Sequence, residues 1–238
     1  MTTPTRYTKG VTNVANGTTM GQLIVPDPTS IHMFMEDFNK WHPGDWIITS
    51  DHSGATAGNE TITDADGGIL AFYPANADND NTFMEWKATD AVETASEIFT
   101  FEAGKKLWFK ARFKVSDTGD SDFFVGLKSA DTTPLTAPVD GVWFQSDDGD
   151  DYLDLNAYKA SASVLTQTQL YTMADDTYIT CGFYYDGTLH MFVNDNEVAS
   201  VSGFTIPTAA LTISFGVQNG SATARTMSVD YICTIKER

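Results

Sequence analysis

The residues best equipped for chemistry lie in FQSDDGDDYLDLNAY (144–158), where Asp147, Asp148, Asp150, Asp151 and Asp154 fall within eight positions around Gly149. Carboxylates at this density have three uses. They can give hard oxygen ligands to calcium, serve as the acid and nucleophile or base of glycoside hydrolysis, or hydrogen-bond backbone amides in a tight turn. The run does not complete the D-x-[DN]-x-[DN]-G-x5-E calcium loop, and neither do DADGG (64–68) or DNDN (78–81). GVWFQ precedes it and YLDLNAY follows, both with strand character, so SDDGDD reads as a hairpin turn with Gly149 near its apex. Within YLDLNAY, alternation puts Tyr152, Asp154, Asn156 and Tyr158 on one face and Leu153, Leu155 and Ala157 on the other. That polar face carries one carboxylate and one amide between two tyrosines. A sugar-binding surface uses such residues, because rings stack on pyranose faces while carboxylates and amides bond hydroxyls. Trp108, on the polar face of its own strand, is a further glycan-binding candidate. The competing reading of the two tyrosines is cross-strand pairing on a solvated face.

Other catalytic signatures are missing. The sequence has no G-x-S-x-G elbow, no H-E-x-x-H and no Walker A loop. His42, Asp45, Asp51 and His52 lie close together, but their spacing fits no common zinc pattern.

The elements that must position these residues are strands. In KLWFKARFKV, Leu107, Phe109, Ala111, Phe113 and Val115 alternate with Lys106, Trp108, Lys110, Arg112 and Lys114. LTISFGV alternates through Leu211, Ile213, Phe215 and Val217, and MSVDYICTI is expected to place Met227, Val229, Tyr231, Cys233 and Ile235 on one side. CGFYYDGTLHMFVNDNEVASV reads as three strands joined at Asp186-Gly187 and at NDNE (194–197). Gly, Asn and Asp punctuate the chain with no long helical periodicity, which predicts an all-β jelly-roll sandwich of two antiparallel sheets over residues 31–238. Residues 1–30 are rich in Thr, Asn and Gly, with one short apolar cluster at Leu23, Ile24 and Val25 closed by Pro26 and Pro28. They read as an extended N-terminal arm, either a disordered tail or a segment ordered against a neighbouring subunit.

Composition narrows the partners. The chain has 238 residues, 42% of them hydrophobic, and 32 Asp and Glu against 14 Lys and Arg, a formal net charge of −18. Nucleic-acid phosphates and anionic membranes repel such a chain, so neither is an expected partner. MTTPTRYTKG lacks the apolar segment of a secretory signal, and no apolar run approaches a membrane span. Cys181 and Cys233 sit in strand-like apolar runs and read as small buried hydrophobes.

Four segments, in order, resemble the concanavalin-like jelly-roll superfamily of laminarinases, laminin-G modules and legume lectins. They are EDFNKWHPGDW as the opening strand, LWFKARFKVSD, the hairpin FYYDGTLHMFVNDNEVAS, and MSVDYICTIKE as the closing strand. Laminarinase-like members carry E-x-D-x-x-E on one strand. This sequence has none, so the resemblance implies the fold without the catalytic pair. It also implies a structural calcium between the first and last strands, for which the matching acids are Asp37 and Asp230. No other cofactor is implied.

A second resemblance covers nearly the whole chain. The arm TPTRYTKGVTNVANGTTMGQLIVPDPT, then FEAGKKLWFKARFKVSD (101–117), TTPLTAPVDGVWF (132–144), ADDTYITCGFYYDG (174–187), SFGVQNG (214–220) and MSVDYICTIKER (227–238) are similar to a group of tailed-phage virion structural proteins. The implied function is non-enzymatic: decorating or cementing the capsid shell from its exterior, after assembly in the host cytoplasm. The implied partners are the major capsid protein, other virion subunits or further copies of this chain. In the arm, Tyr7, Val11, Val14, Leu23, Ile24 and Val25 are the expected contacts. The alternative is a glycan-binding module on the virion surface for attachment to a host or environmental polysaccharide.

Overall fold

The computed structural model describes residues 29–51, 59–65, 67–89, 92–136 and 138–238. Its strands are β1 (Ile31–Glu36), β2 (Trp46–Asp51), β3 (Asn59–Ala65), β4 (Gly67–Tyr73), β5 (Asn81–Thr89), β6 (Val92–Ala95), β7 (Leu107–Val115), β8 (Ser121–Lys128), β9 (Gly141–Ser146), β10 (Tyr152–Lys159), β11 (Ala162–Thr172), β12 (Ile179–Tyr185), β13 (Thr188–Val193), β14 (Asn196–Ser202), β15 (Thr212–Asn219) and β16 (Met227–Glu237). All pair antiparallel. Sheet A runs β14-β13-β12-β7-β16-β4-β3, with β1 also paired to β16. Sheet B runs β11-β10-β9-β8-β15-β5-β2, with β6 paired to β5. The chain is the expected two-sheet jelly-roll sandwich.

The alternating patterns fold as they read. On β7, Leu107, Phe109, Ala111, Phe113 and Val115 are buried while the intervening residues are half-buried. Ile213, Phe215 and Val217 of β15 face them from sheet B, all fully buried. Phe215 anchors an aromatic knot: its ring lies 5.2 Å from Trp46, 5.7 Å from Phe72 and 6.3 Å from Phe38. The hairpins β12–β13 and β13–β14 form at the expected turns, and Asn194 and Asp195 adopt the positive φ that their short polar side chains tolerate.

The closing strand departs from its pattern. A register shift between Val229 and Tyr231 of β16 adds one residue. Met227, Val229 and Ile232 therefore face the core, while Tyr231, Cys233 and Ile235 lie on the opposite, half-buried side. A bulge of this kind re-aims every side chain beyond it. Cys181 and Cys233 are both free, Cys181 in the core and Cys233 facing outward.

Truncating the knot should be costly. Phe215→Ala is expected to lower stability by about 3–5 kcal/mol, read from urea unfolding midpoints; a loss under about 1 kcal/mol would mean the knot is not tightly packed.

Candidate functional site

Strand β10 presents its polar residues on the outer face of sheet B. Leu153, Leu155 and Ala157 are fully buried inside, and Tyr152, Asp154, Asn156 and Tyr158 point the other way. Neighbouring strands complete the surface. Asp154 pairs with Gln145 of β9, and Asn156 lies between Trp143 of β9 and Thr166 of β11. The Thr166 hydroxyl donates to Asn156 Oδ1 at 3.0 Å. A register shift in the β10–β11 pair sets Gln169 at φ 58°, from where its backbone N–H donates to Asp154 Oδ1 at 2.7 Å.

Side-chain amides extend the surface across the sheet. The Trp143 indole N–H donates to Gln145 Oε1 at 2.7 Å, and Gln145 Nε2 donates to Asp147 Oδ1 at 2.8 Å. On β8, Asp122 accepts the Asp148 backbone N–H at 2.7 Å and Gln218 Nε2 of β15 at 3.0 Å. The result is a band of Asp154, Gln145, Asp147, Asp122 and Gln218. Desolvation raises the pKa of Asp154, with Asp150 and Asp147 adding repulsion, and it does the same to Asp147 and Asp122 beside their own acidic neighbours.

Read from β10 alone, this face carries a single carboxylate; the folded sheet adds two from β8 and the β9–β10 turn. Alternation in GVWFQS and SDFFVGLK marks Gln145 and Asp122 as outward partners of Trp143 and Phe124, but strand order is needed to bring them beside Asp154. The rest of SDDGDD does behave as a turn. Gly149 has φ 95°, Asp150 Oδ1 accepts the Tyr152 N–H at 2.9 Å, and Asp151 accepts the Thr118 hydroxyl.

Beside the band, the outer face is covered. Phe83, Phe124 and Trp143 point away from the main core yet are only 4%, 0% and 1% exposed. The β8–β9 connection folds over them as a strap and packs Leu135 on the three rings. Two buried charged groups hold the strap. Lys128 Nζ donates to Pro134 O and sits 4.0 Å from the Trp143 ring centre and 4.8 Å from that of Phe124. Glu85 Oε1 accepts the Asp131 N–H at 2.7 Å. Burial pushes Glu85 up to about 7 and Lys128 down to about 7. Tyr158 lies at the strap's margin, its ring 5.3 Å from that of Trp143.

The remaining candidates lie elsewhere. Trp108 is on the outer face of sheet A, stacked on Tyr184 at 5.2 Å, so it belongs to the opposite side of the sandwich from Tyr152 and Tyr158. The basic residues of β7 are matched by acids: Lys110 by Asp195, Arg112 by Asp230 and Lys114 by Asp176. Asp230 is thus held by a guanidinium, and Asp37 accepts the Asn39 side-chain amide. A carboxylate already neutralised by arginine is a poor calcium ligand, and among the described residues no group of three or more His, Cys, Asp or Glu is placed to hold a metal. Tyr7, Val11, Val14, Leu23, Ile24 and Val25 lie outside the described residues.

Two outcomes are expected. Excess EDTA in low-salt buffer should leave the melting temperature unchanged; a fall of several degrees would reveal a structural cation. The strap pair predicts a pH dependence. Lys128 titrates near 7 when folded against 10.5 when unfolded, so the unfolded chain binds the extra proton between these values and stability rises with pH there. Glu85 titrates near 7 against 4.5, so its contribution falls as pH rises from 4.5 to 7. Lys128→Met removes the first effect. The gap in urea midpoint between the wild-type chain and the variant should grow in favour of the wild type from pH 7 to pH 10; a constant gap would contradict the burial of Lys128.

No protein-family model and no curated protein matches the chain. Solved structures do. A protein of unknown function from Shewanella oneidensis MR-1 is 17% identical with a TM-score of 0.60, over 87% of each chain. The endo-1,3-β-glucanase from Streptomyces sioyaensis is 13% identical with a TM-score of 0.58, over 89% of this chain and 98% of that one. The carbohydrate recognition domain of Emp47p is 13% identical with a TM-score of 0.56, over 87% and 97%. At such identities the likeness is one of fold, and that fold is the concanavalin-like jelly roll of lectins and glucanases.

Proposed function

We propose that the chain is a non-enzymatic glycan-binding module of a tailed-phage virion, holding an oligosaccharide on the outer face of sheet B at its β9–β10–β11 end. The observation that carries this reading is the group Tyr152, Asp154, Asn156 and Tyr158, set on one rigid strand and extended by Gln145 and Asp147. The Gln169 N–H occupies one oxygen of half-buried Asp154, which leaves Oδ2 for a sugar hydroxyl, while Asn156, 8% exposed and bonded to Thr166, supports the strand from beneath. Tyr152 and Tyr158 flank them with ring surface. The acidic surroundings favour a neutral polysaccharide over an anionic one.

Three features support binding over hydrolysis. Asp122 has both oxygens engaged, Asp154 is tied to a backbone amide, and the strap fills the sheet centre along which a glycan would continue. The fold shared with a carbohydrate recognition domain supports the ligand class, and the motif set running through the whole chain supports the virion setting.

A second reading is decoration or cementing of the capsid shell, with the major capsid protein or other virion subunits as partners. The exposure of Met33 (52%) and Met35 (48%) on β1, directly after the arm, favours it.

An array of bacterial and algal polysaccharides probed with the full chain tests the leading reading. Binding to at least one neutral glycan is expected, weakened about tenfold or more in Asp154→Ala and in Tyr152→Ala, with no reducing ends released. No binding across the array, or binding that both variants retain in full, would overturn it.

A further inference from the structure

The outer face of sheet A carries an apolar groove of about 520 Å³ that the glycan reading does not use. Ile31, Trp108, Gly182, Phe192, Cys233 and Ile235 line it. The β16 bulge creates it, because without the extra residue Cys233 and Ile235 would face the core. Gly182, with no side chain, leaves its floor open between two walls. One wall is the ring stack Trp108–Tyr184–His190, with successive centres 5.2 and 5.7 Å apart, and the other is the Lys110–Asp195 ion pair. Met33 and Met35, paired with Ile235 and Cys233, continue the apolar surface to the sheet edge. Sheet B covers its outward rings with the strap; among the described residues nothing covers this strip. An apolar strip of this extent on a sheet face marks a docking surface.

We propose that this groove seats Leu23, Ile24 and Val25 of the chain's own N-terminal arm. The arm enters at the groove's end: the Arg238 backbone N–H donates to Ser30 O, its Nε donates to Ile31 O, and Ile31 lines the groove. From Ser30 back to Val25 is five residues, which span about 17 Å when extended. Four strand spacings from β1 to β13 span about 19 Å. Pro26 and Pro28 disfavour helical backbone at Val25 and Asp27, which suits the extended connection that docking requires. Leu23-Ile24-Val25 is the arm's apolar cluster, the one run of three aliphatic residues among residues 1–28. The lining is almost wholly hydrocarbon, which suits aliphatic side chains and not a sugar. This docking is independent of glycan binding on sheet B.

Cys233 reports on the groove directly, since Cys181 is fully buried and its thiol is pushed up by burial. In the full chain, alkylation of Cys233 by iodoacetamide should be slow. In Leu23→Asp/Ile24→Asp/Val25→Asp it should be at least about tenfold faster, with the melting temperature of the sandwich retained. Equal rates would overturn the proposal. A second arm of the experiment introduces a thiol by Leu23→Cys, Ile24→Cys or Val25→Cys and oxidises the protein at low concentration. A disulfide to Cys233 within one chain, mapped by mass spectrometry, is the expected product. Disulfides only between chains, or none from any of the three variants, would refute docking of the chain's own arm.

Discussion

Three aromatic rings that face away from the core govern the layout of sheet B. Phe83, Phe124 and Trp143 sit on its outer side, where an ordinary sandwich meets water. Left exposed, each would forgo about 1.5–3 kcal/mol of burial. The β8–β9 strap supplies the cover, and everything near it follows. Leu135 must lie on the rings, Lys128 and Glu85 go under with it, and each buried charge needs a backbone partner, found at Pro134 and Asp131. Lys128 gains further from lying over two ring faces.

The same constraint limits the proposed glycan site to the uncovered part of the face. With the sheet centre sealed, the polar band keeps to one end of the strands, from Asp154 of β10 through Gln145 and Asp147 to Asp122 of β8 and Gln218 of β15. Trp143 links the two regions: its ring is sealed under the strap while its indole N–H fixes Gln145, which in turn orients Asp147. The polar band is therefore held in place from below, by a buried ring, and from the side, by the β11 bulge that brings the Gln169 amide to Asp154. Sheet A solves its outer face differently. Ion pairs hold the basic residues of β7, and the β16 bulge opens an apolar groove that reaches Ile31 of β1.

Much of this was legible in the residues. The alternation of β7 and β15, the hairpins at Asp186-Gly187 and Asn194-Asp195, and the turn at Gly149 are all local patterns, and local patterns survive folding. The four polar residues of β10 share a face because period two alone demands it. What stayed hidden depends on pairing between distant segments. Nothing in MSVDYICTI announces a bulge at Asp230, so Cys233 and Ile235 read as core when they face outward. Trp108 and Tyr152 look equally suited to a sugar, but they belong to different sheets. Asp122 and Asp147 join Asp154 only through strand order, and a loop rich in Thr, Pro and Asp gives little sign that one leucine will seal three rings.

The proposed glycan site lies at the open end of sheet B and nowhere else on that face. Residue-by-residue amide chemical shifts during titration with an oligosaccharide from the best-binding glycan test it most directly. Shifts are expected at Gln145, Asp147, Tyr152, Asp154, Asn156 and Gln169, with the strap and the outer face of sheet A unmoved. Shifts centred on Trp108, Tyr184 and Phe192, or on the strap around Leu135, would contradict it.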